Sequence, residues 1–244
     1  MPLTALISDI HGNIDALEAV LADIESRDIS HIFCLGDVVG YGGAPGACVR
    51  LIRIKCPLVL MGNHEAFTFS PINPQHFSED VAIGIEKARE ESTEEDLEWM
   101  KGLPLVGELD GAELVHASLD SPESFRHLLH KRDAIRHLEH QASPICFVGH
   151  THLPGVFAVS EGSIRGLKPE NEPIPLDPNF RFVVNVGSVG QPRDRNPKAC
   201  YAIYDSDEST IEFCRVKYDV AAAIARFKEA GMHASSWKRL KKGV

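Results

Sequence analysis

Five blocks of this 244-residue chain set a carboxylate, an amide or an imidazole where an apolar run ends. Asp9 and His11 follow LTALIS, Asp37 follows IFCLG, and Asn63 and His64 follow LVLMG. His116 follows AELV, and His150 and His152 follow ICFVG. The set has no cysteine, and mixed nitrogen and oxygen donors suit manganese, iron, nickel or zinc better than a thiol-rich structural zinc site does. Seven candidate ligands (Asp9, His11, Asp37, Asn63, His116, His150 and His152) exceed the needs of one tetrahedral ion. They suit two divalent ions about 3.5–4 Å apart that share a bridging carboxylate, the arrangement of two-metal hydrolysis. Two such ions outweigh two aspartates, so the centre would be net positive, would hold an oxyanion and would acidify a bound water.

These residues need elements that bring them together. Residues 3–8, 32–35, 58–61 and 145–148 are predicted to be buried strands. Ile14, Leu17, Val20, Leu21 and Ile24 form one helical face behind an Asn13 cap. The glycine-rich loop 41–46 leads into a second helix through Val49, Leu51 and Ile52. Residues 79–101 read as two helices meeting at Ser92-Thr93, where either residue can cap. Residues 105–109 and 112–115 read as a hairpin around Asp110-Gly111. One helix is expected over 121–141 and a closing helix over 221–231. Residues 156–159, 181–186, 199–204 and 211–216 read as sequential antiparallel-type strands of a second sheet, with a proline-rich surface excursion over 170–178. Strands alternating with helices argue for an α/β fold, and no linker divides the chain, so 1–244 is read as a single domain. In α/β sheets ligands bind outside the carboxyl ends of strands, so residues this far apart in sequence can share one crevice. An extended backbone through His150-Thr151-His152 would put both imidazoles on one side, about 6.5 Å apart at Cα, reaching two neighbouring ions while Thr151 points away.

Bulk properties narrow the partners. Asp and Glu outnumber Lys and Arg by 35 to 25, a formal charge of −10, so nonspecific nucleic-acid binding is not expected. A small phosphorylated substrate remains compatible, because a local positive site outweighs a distant field. The basic run 238–242 reads as a solvated tail. Six cysteines without a C-x-x-C pair read as small hydrophobes in a reducing compartment, with no disulfide framework. Asp9 and His11 come too early for a signal-peptide core, and no apolar run approaches the ~18 residues of a membrane span. A cytoplasmic protein without membrane association is expected.

Taken in order, Asp9-Ile10-His11, Gly36-Asp37, Gly62-Asn63-His64-Glu65, His116 and Gly149-His150-Thr151-His152 resemble the ligand blocks of the calcineurin-like metallophosphoesterase superfamily, in its bacterial form. The resemblance implies a four-layer α/β/β/α sandwich: two mixed β-sheets flanked by helices, with a dimetal site along strand ends at one edge. It implies that Asp9, His11 and His152 bind one metal, that Asn63, His116 and His150 bind the other, and that Asp37 bridges them. His64 would contact the scissile phosphate and protonate the leaving oxygen, and a hydroxide held between the metals would attack phosphorus in line. The implied activity is metal-dependent hydrolysis of a phosphodiester or phosphomonoester, with Mn(II) the first expectation and Fe, Ni or Zn the alternatives. A dinucleoside-polyphosphate hydrolase and a Ser/Thr protein phosphatase-like enzyme are alternatives within the enzyme class. A non-catalytic scaffold on the same fold is the alternative outside it, and the complete ligand set weighs against that reading.

Three departures from the family pattern matter. Gly40 stands where many relatives carry a second aspartate, and Gly42-Gly43 replaces the arginine of the protein-phosphatase branch, which disfavours that branch. Glu65 replaces an aspartate common in bacterial relatives and is a candidate to orient His64. Outside the blocks, Arg193 and Arg195 are candidates for substrate phosphate, or for an ion pair with Asp194. Tyr41 is a candidate to stack on an aromatic leaving group. His127, His130, His137 and His140 read as a solvated helix face rather than an auxiliary metal site.

Overall fold

A computed structural model describes residues 3–72, 77–160, 163–169 and 172–244. The first half runs β1 (Thr4–Ile7), α1 (Ile14–Ser26), β2 (His31–Cys34), α2 (Pro45–Lys55), β3 (Leu58–Val59), α3 (Asn63–Thr68), α4 (Glu79–Glu91) and α5 (Glu94–Lys101). The hairpin β4 (Val106–Leu109) and β5 (Ala112–Val115) follows, then a short 3-10 turn (Pro122–Ser124), α6 (Lys131–Leu138) and β6 (Ile145–Val148). The remainder comprises β7 (Gly155–Ser160), β8 (Ser163–Leu167), β9 (Ile174–Pro175), β10 (Arg181–Asn185), β11 (Ala199–Asp205), β12 (Thr210–Val216), α7 (Val220–Glu229) and α8 (Ala234–Leu240).

The strands form two mixed sheets, ordered β3-β2-β1-β11-β12-β9 and β4-β5-β6-β10-β7-β8. β1, β2 and β3 are parallel, as are β5, β6 and β10, while the other pairings are antiparallel. Period-two alternation builds the layers. Ala5 and Ile7 of β1 pack outward against α1 and α2, whereas Leu6 faces the second sheet. In β6, Phe147 enters the inter-sheet core, and Cys146 and Val148 pack outward with Leu138 of α6. Strands buried on both faces read as unbroken apolar runs, which is how both were recognised in the sequence. The result is the expected α/β/β/α sandwich with three apolar layers.

Caps fall where the sequence put them. Asn13 Oδ1 accepts from Ala16 N at 3.2 Å, and Thr93 Oγ1 accepts from Asp96 N at 3.1 Å while the Asp96 carboxylate accepts from Thr93 N. Asp110 and Gly111, both at positive φ, make the hairpin turn. All six cysteines are free and buried, and no helix among the described residues is long and apolar enough to cross a membrane.

Several expectations need correction. The C-terminal strands do not make a second sheet by themselves: β11 and β12 join the first sheet beside β1, and β10 and β7 join the second beside β6. Strand β8 and the two-residue β9 had no signal; β9 lies in the expected excursion, of which residues 170 and 171 lie outside the described residues. The expected helix over 121–141 is broken: Phe125 takes a left-handed φ of 49°, and regular helix resumes only at Lys131. His137 is accordingly buried in contact with Ser118 and Leu119 N rather than solvated. The basic run 238–242 begins on α8, whose Leu240 is buried against α7, so it is not a free tail.

Candidate metal centre

The segments that carry the candidate ligands all leave the carboxyl ends of β1, β2, β3, β5 and β6 on one side of the sandwich. Asp9, His11, Asp37, His150 and His152 each adopt a left-handed backbone, with φ between 50° and 65°. Non-glycine residues at positive φ are uncommon and cost of order 1 kcal/mol or more each, and they cluster at functional sites. This also corrects the reading of GHTH. His150 and His152 do not alternate along an extended strand; successive reversals of the chain aim them inward, while Thr151 Oγ1 turns away to accept from Asn185 Nδ2 at 3.0 Å.

Backbone contacts fix those turns. Asp9 N donates to Gly36 O at 3.0 Å and His11 N to Asp37 O at 2.9 Å, which zips the β1 and β2 ends together. His150 N donates to the Asp9 carboxylate at 3.0 Å, and Gly190 N to Asp9 O at 3.0 Å, which joins the second sheet to the first. The Glu65 carboxylate accepts from Asp37 N, Val39 N and Gly62 N at 2.8, 3.0 and 2.9 Å. Glu65 therefore does not orient His64: it braces the β2 and β3 ends, and His64 Nδ1 is buried without a hydrogen-bond partner among the described residues.

Three imidazoles are held in a common orientation. The Nδ1 atoms of His11, His116 and His152 lie 3.1, 2.8 and 2.6 Å from the carbonyl oxygens of Val39, Leu35 and Gln191. Each therefore donates from Nδ1 and presents Nε2 to the centre. The Nε2 atoms of His11 and His152 are 3.0 Å apart, and His116 Nε2 is 3.2 Å from Asn63 Oδ1. Lone pairs so placed repel unless a cation or a proton lies between them, and His150 Nε2 is buried with no hydrogen-bond partner among the described residues. Donor atoms of Asp9, His11 and His152 lie within 4.8 Å of one another, as do those of Asp37, His116 and His150, and those of His11, Asp37 and His64. Asp37 Oδ2 lies 3.7 Å from His11 Nε2 and 3.3 Å from His116 Nε2, between the first two groups. This donor set fits two divalent ions: mixed N and O, buried, preoriented and unsatisfied.

The electrostatics agree. Burial raises the Asp9 pKa to about 7, with Asp37 adding to the rise. Burial does the same to Glu65, again to about 7 and again with Asp37 contributing. Burial also opposes charge on His116, yet Asp37, Asp9 and Glu65 outweigh it and lift His116 to about 9. Burial lowers His11, His64, His150 and His152, leaving neutral imidazoles.

A cleft of about 450 Å³ opens over the centre, lined by Asp37, Tyr41, Asn63, His64, His150, His152 and Arg193 among others. Tyr41 packs 4.8 Å from the His11 ring and 5.8 Å from Arg193 Cζ, and the Arg193 guanidinium also donates to Gln191 Oε1 at 2.9 Å. The expected pairing of Asp194 with its loop neighbours does not form; Asp194 pairs with Arg215. Arg195 does not line the cleft: it is exposed, and its N–H donates to Gly243 O at 2.7 Å.

Two residues of the site carried no readable signal as parts of it. A Cβ on Gly40 would lie 2.5 Å from His11 Nδ1 and 2.8 Å from His64 Nδ1, so glycine here leaves room for both rings. His127, expected on a solvated helix face, lines the cleft with its ring 4.2 Å from that of His150. Its proximity to His150 follows from the break at Phe125, which no local pattern announced.

The sequence matches the calcineurin-like phosphoesterase superfamily domain over residues 3–209. An uncharacterized protein of Methanocaldococcus jannaschii is 39% identical over 225 residues, covering 91% of this chain and 90% of that one. A metallophosphoesterase from Sphaerobacter thermophilus is 33% identical, with a TM-score of 0.88 over 100% of this chain and 99% of its own. A hypothetical protein from Pyrococcus horikoshii OT3 shares the fold at 20% identity, with a TM-score of 0.78 over 100% and 99% of the two chains.

Proposed function

The chain belongs to the calcineurin-like phosphoesterase superfamily, and on that premise we propose that it is a dinuclear metal-dependent phosphoesterase acting on a phosphodiester or phosphomonoester. The observation that carries the reading is the meeting of two ligand groups at one carboxylate: Asp9, His11 and His152 on one side and His116 and His150 on the other, with Asp37 between. Asn63 completes the second group through Oδ1, 3.2 Å from His116 Nε2. Two divalent ions held there, Mn(II) first and Fe, Ni or Zn as alternatives, would acidify a bound water and neutralise charge on the phosphoryl oxygens.

The chain's own residues do the rest. Val39, Leu35 and Gln191 carbonyls fix three rings so that no reorganisation is needed when charge develops. His64, buried and lining the cleft, would face the scissile phosphate; once it has taken up a proton beside the substrate's negative charge, it would hand that proton to the leaving oxygen. Arg193, steadied by Gln191 and Tyr41, would hold a phosphoryl oxygen, and Tyr41 would pack against the substrate. Arg195, outside the cleft, has no part in this reading. The complete, preoriented donor set favours an enzyme over a scaffold. A substrate panel with Mn(II)-loaded protein tests it: bis-p-nitrophenyl phosphate or p-nitrophenyl phosphate should be cleaved. No turnover of these or of nucleotide substrates with any of the four metals would refute it.

Metal binding should depend on pH in a defined sense. In the metal-free protein His116 holds a proton up to about pH 9, above its ordinary 6.5. A metal must displace that proton, so affinity rises with pH up to about 9, by up to roughly tenfold per unit, and levels off above. Calorimetric titration with Mn(II) at pH 7, 8 and 9 measures this; a flat profile would mean that His116 is not a ligand.

A further inference from the structure

The cleft has two flanks. Tyr41 and Arg193 stand beside the Asp9, His11 and His152 group. Beside the Asp37, His116 and His150 group stand Phe125, with its ring 6.0 Å from that of His116, and His127, 4.2 Å from His150. The second flank is built by the chain path. The 3-10 turn Pro122–Ser124 ends in the left-handed Phe125, and Leu128 is then buried with Val115, Leu138, Cys146 and Val148. Leu128 thus pins the segment while His127, one residue earlier, projects into the cleft. His127 is exposed, makes no hydrogen bond within the described residues and belongs to none of the ligand-distance groups. It is a planar donor and acceptor fixed against a candidate ligand, with its nitrogens free for something that enters the cleft.

We propose that His127 is a specificity-determining residue: with Phe125 it seats the substituent of the phosphoester that lies on the Asp37–His116–His150 side, His127 hydrogen-bonding an oxygen of that group and Phe125 giving it an apolar wall. This rests on the phosphoesterase reading. A diester carries two substituents and engages both flanks, whereas a monoester engages one, so the diester depends on His127 more.

The test compares Mn(II)-loaded wild type, His127→Ala and His127→Asn on bis-p-nitrophenyl phosphate and p-nitrophenyl phosphate, with bound manganese counted in each. Loss of one hydrogen bond and its ring contact should raise the diester KM roughly tenfold, equivalent to about 1.4 kcal/mol. The monoester KM should rise several-fold less, metal content should stay at the wild-type value, and asparagine should recover part of the loss. Parallel losses on both substrates accompanied by lost metal would show a brace for His150 instead and overturn the proposal, as would unchanged KM values. Calorimetry with bis(4-nitrobenzyl)phosphinate, whose P–C bonds are not hydrolysed, repeats the comparison without turnover: roughly tenfold weaker binding to His127→Ala supports the proposal, and equal affinity, or no binding to the wild type, overturns it. Failure of the wild type to hydrolyse either ester overturns the phosphoesterase reading, while the calorimetric comparison still decides the role of His127.

Discussion

Asp37→Asn is expected to lower kcat of the Mn(II)-loaded protein by at least ~10³-fold, about 4 kcal/mol of transition-state stabilisation, and to reduce the bound metal per chain. The size follows from the position of one oxygen. Asp37 Oδ2 lies 3.3 Å from His116 Nε2 and 3.7 Å from His11 Nε2, and the other oxygen accepts from His64 N at 2.9 Å. In the variant the amide oxygen would keep the His64 bond, which turns the –NH₂ group, a donor, toward both ligand groups. Neither ion could then be held at that corner, and the negative charge that balances two cations is gone. Volume is conserved, so the fold should persist and circular dichroism should match the wild type. The decisive measurements are turnover and metal content on one preparation. Two ions per chain with near-wild-type turnover would remove Asp37 from the centre.

That the candidate ligands could be listed from sequence while their geometry could not has a physical reason. β1, β2 and β6 are buried on both faces, so they appear as apolar runs, and a polar residue at the end of such a run is conspicuous. The runs located Asp9, Asp37 and His150, and chain order linked them. Conformation past the strand end is set by partners distant in sequence. His150 turns inward because its N–H meets the Asp9 carboxylate, 141 residues away, and no local pattern encodes that. The same holds for the segment after β5. Its helical spacing of histidines is real, but Phe125 beside His116 and Leu128 in the outer core are worth more than a continued helix. Pairing of the C-terminal strands was misread because antiparallel texture shows only that strands are antiparallel to something. β11 runs antiparallel to β1 in one sheet, and β10 runs antiparallel to β7 but parallel to β6 in the other. Gly40 was visible as a departure, but the space it leaves for two imidazoles was not.

Glu65 is where sequence reasoning and structure assign different work to one side chain, and a mutation separates them. The carboxylate accepts three buried N–H groups, from Asp37, Val39 and Gly62. A buried donor left without an acceptor costs about 1–3 kcal/mol, so Glu65→Ala should destabilise the metal-free protein by about 4 kcal/mol after partial relaxation. For a chain of this size that is a fall in Tm of roughly 10 °C. Glu65→Asp, one methylene shorter, cannot span the β2 and β3 ends from the same backbone and should lose about half as much, on the same unsatisfied-donor argument. Activity should fall in step with stability in both variants, because Asp37 is carried on the loop that Glu65 braces. Had Glu65 acted by orienting His64, the loss would appear in kcat with Tm unchanged. The contacts predict the opposite order, with alanine worse than aspartate in the melting curve of the protein before any metal is added.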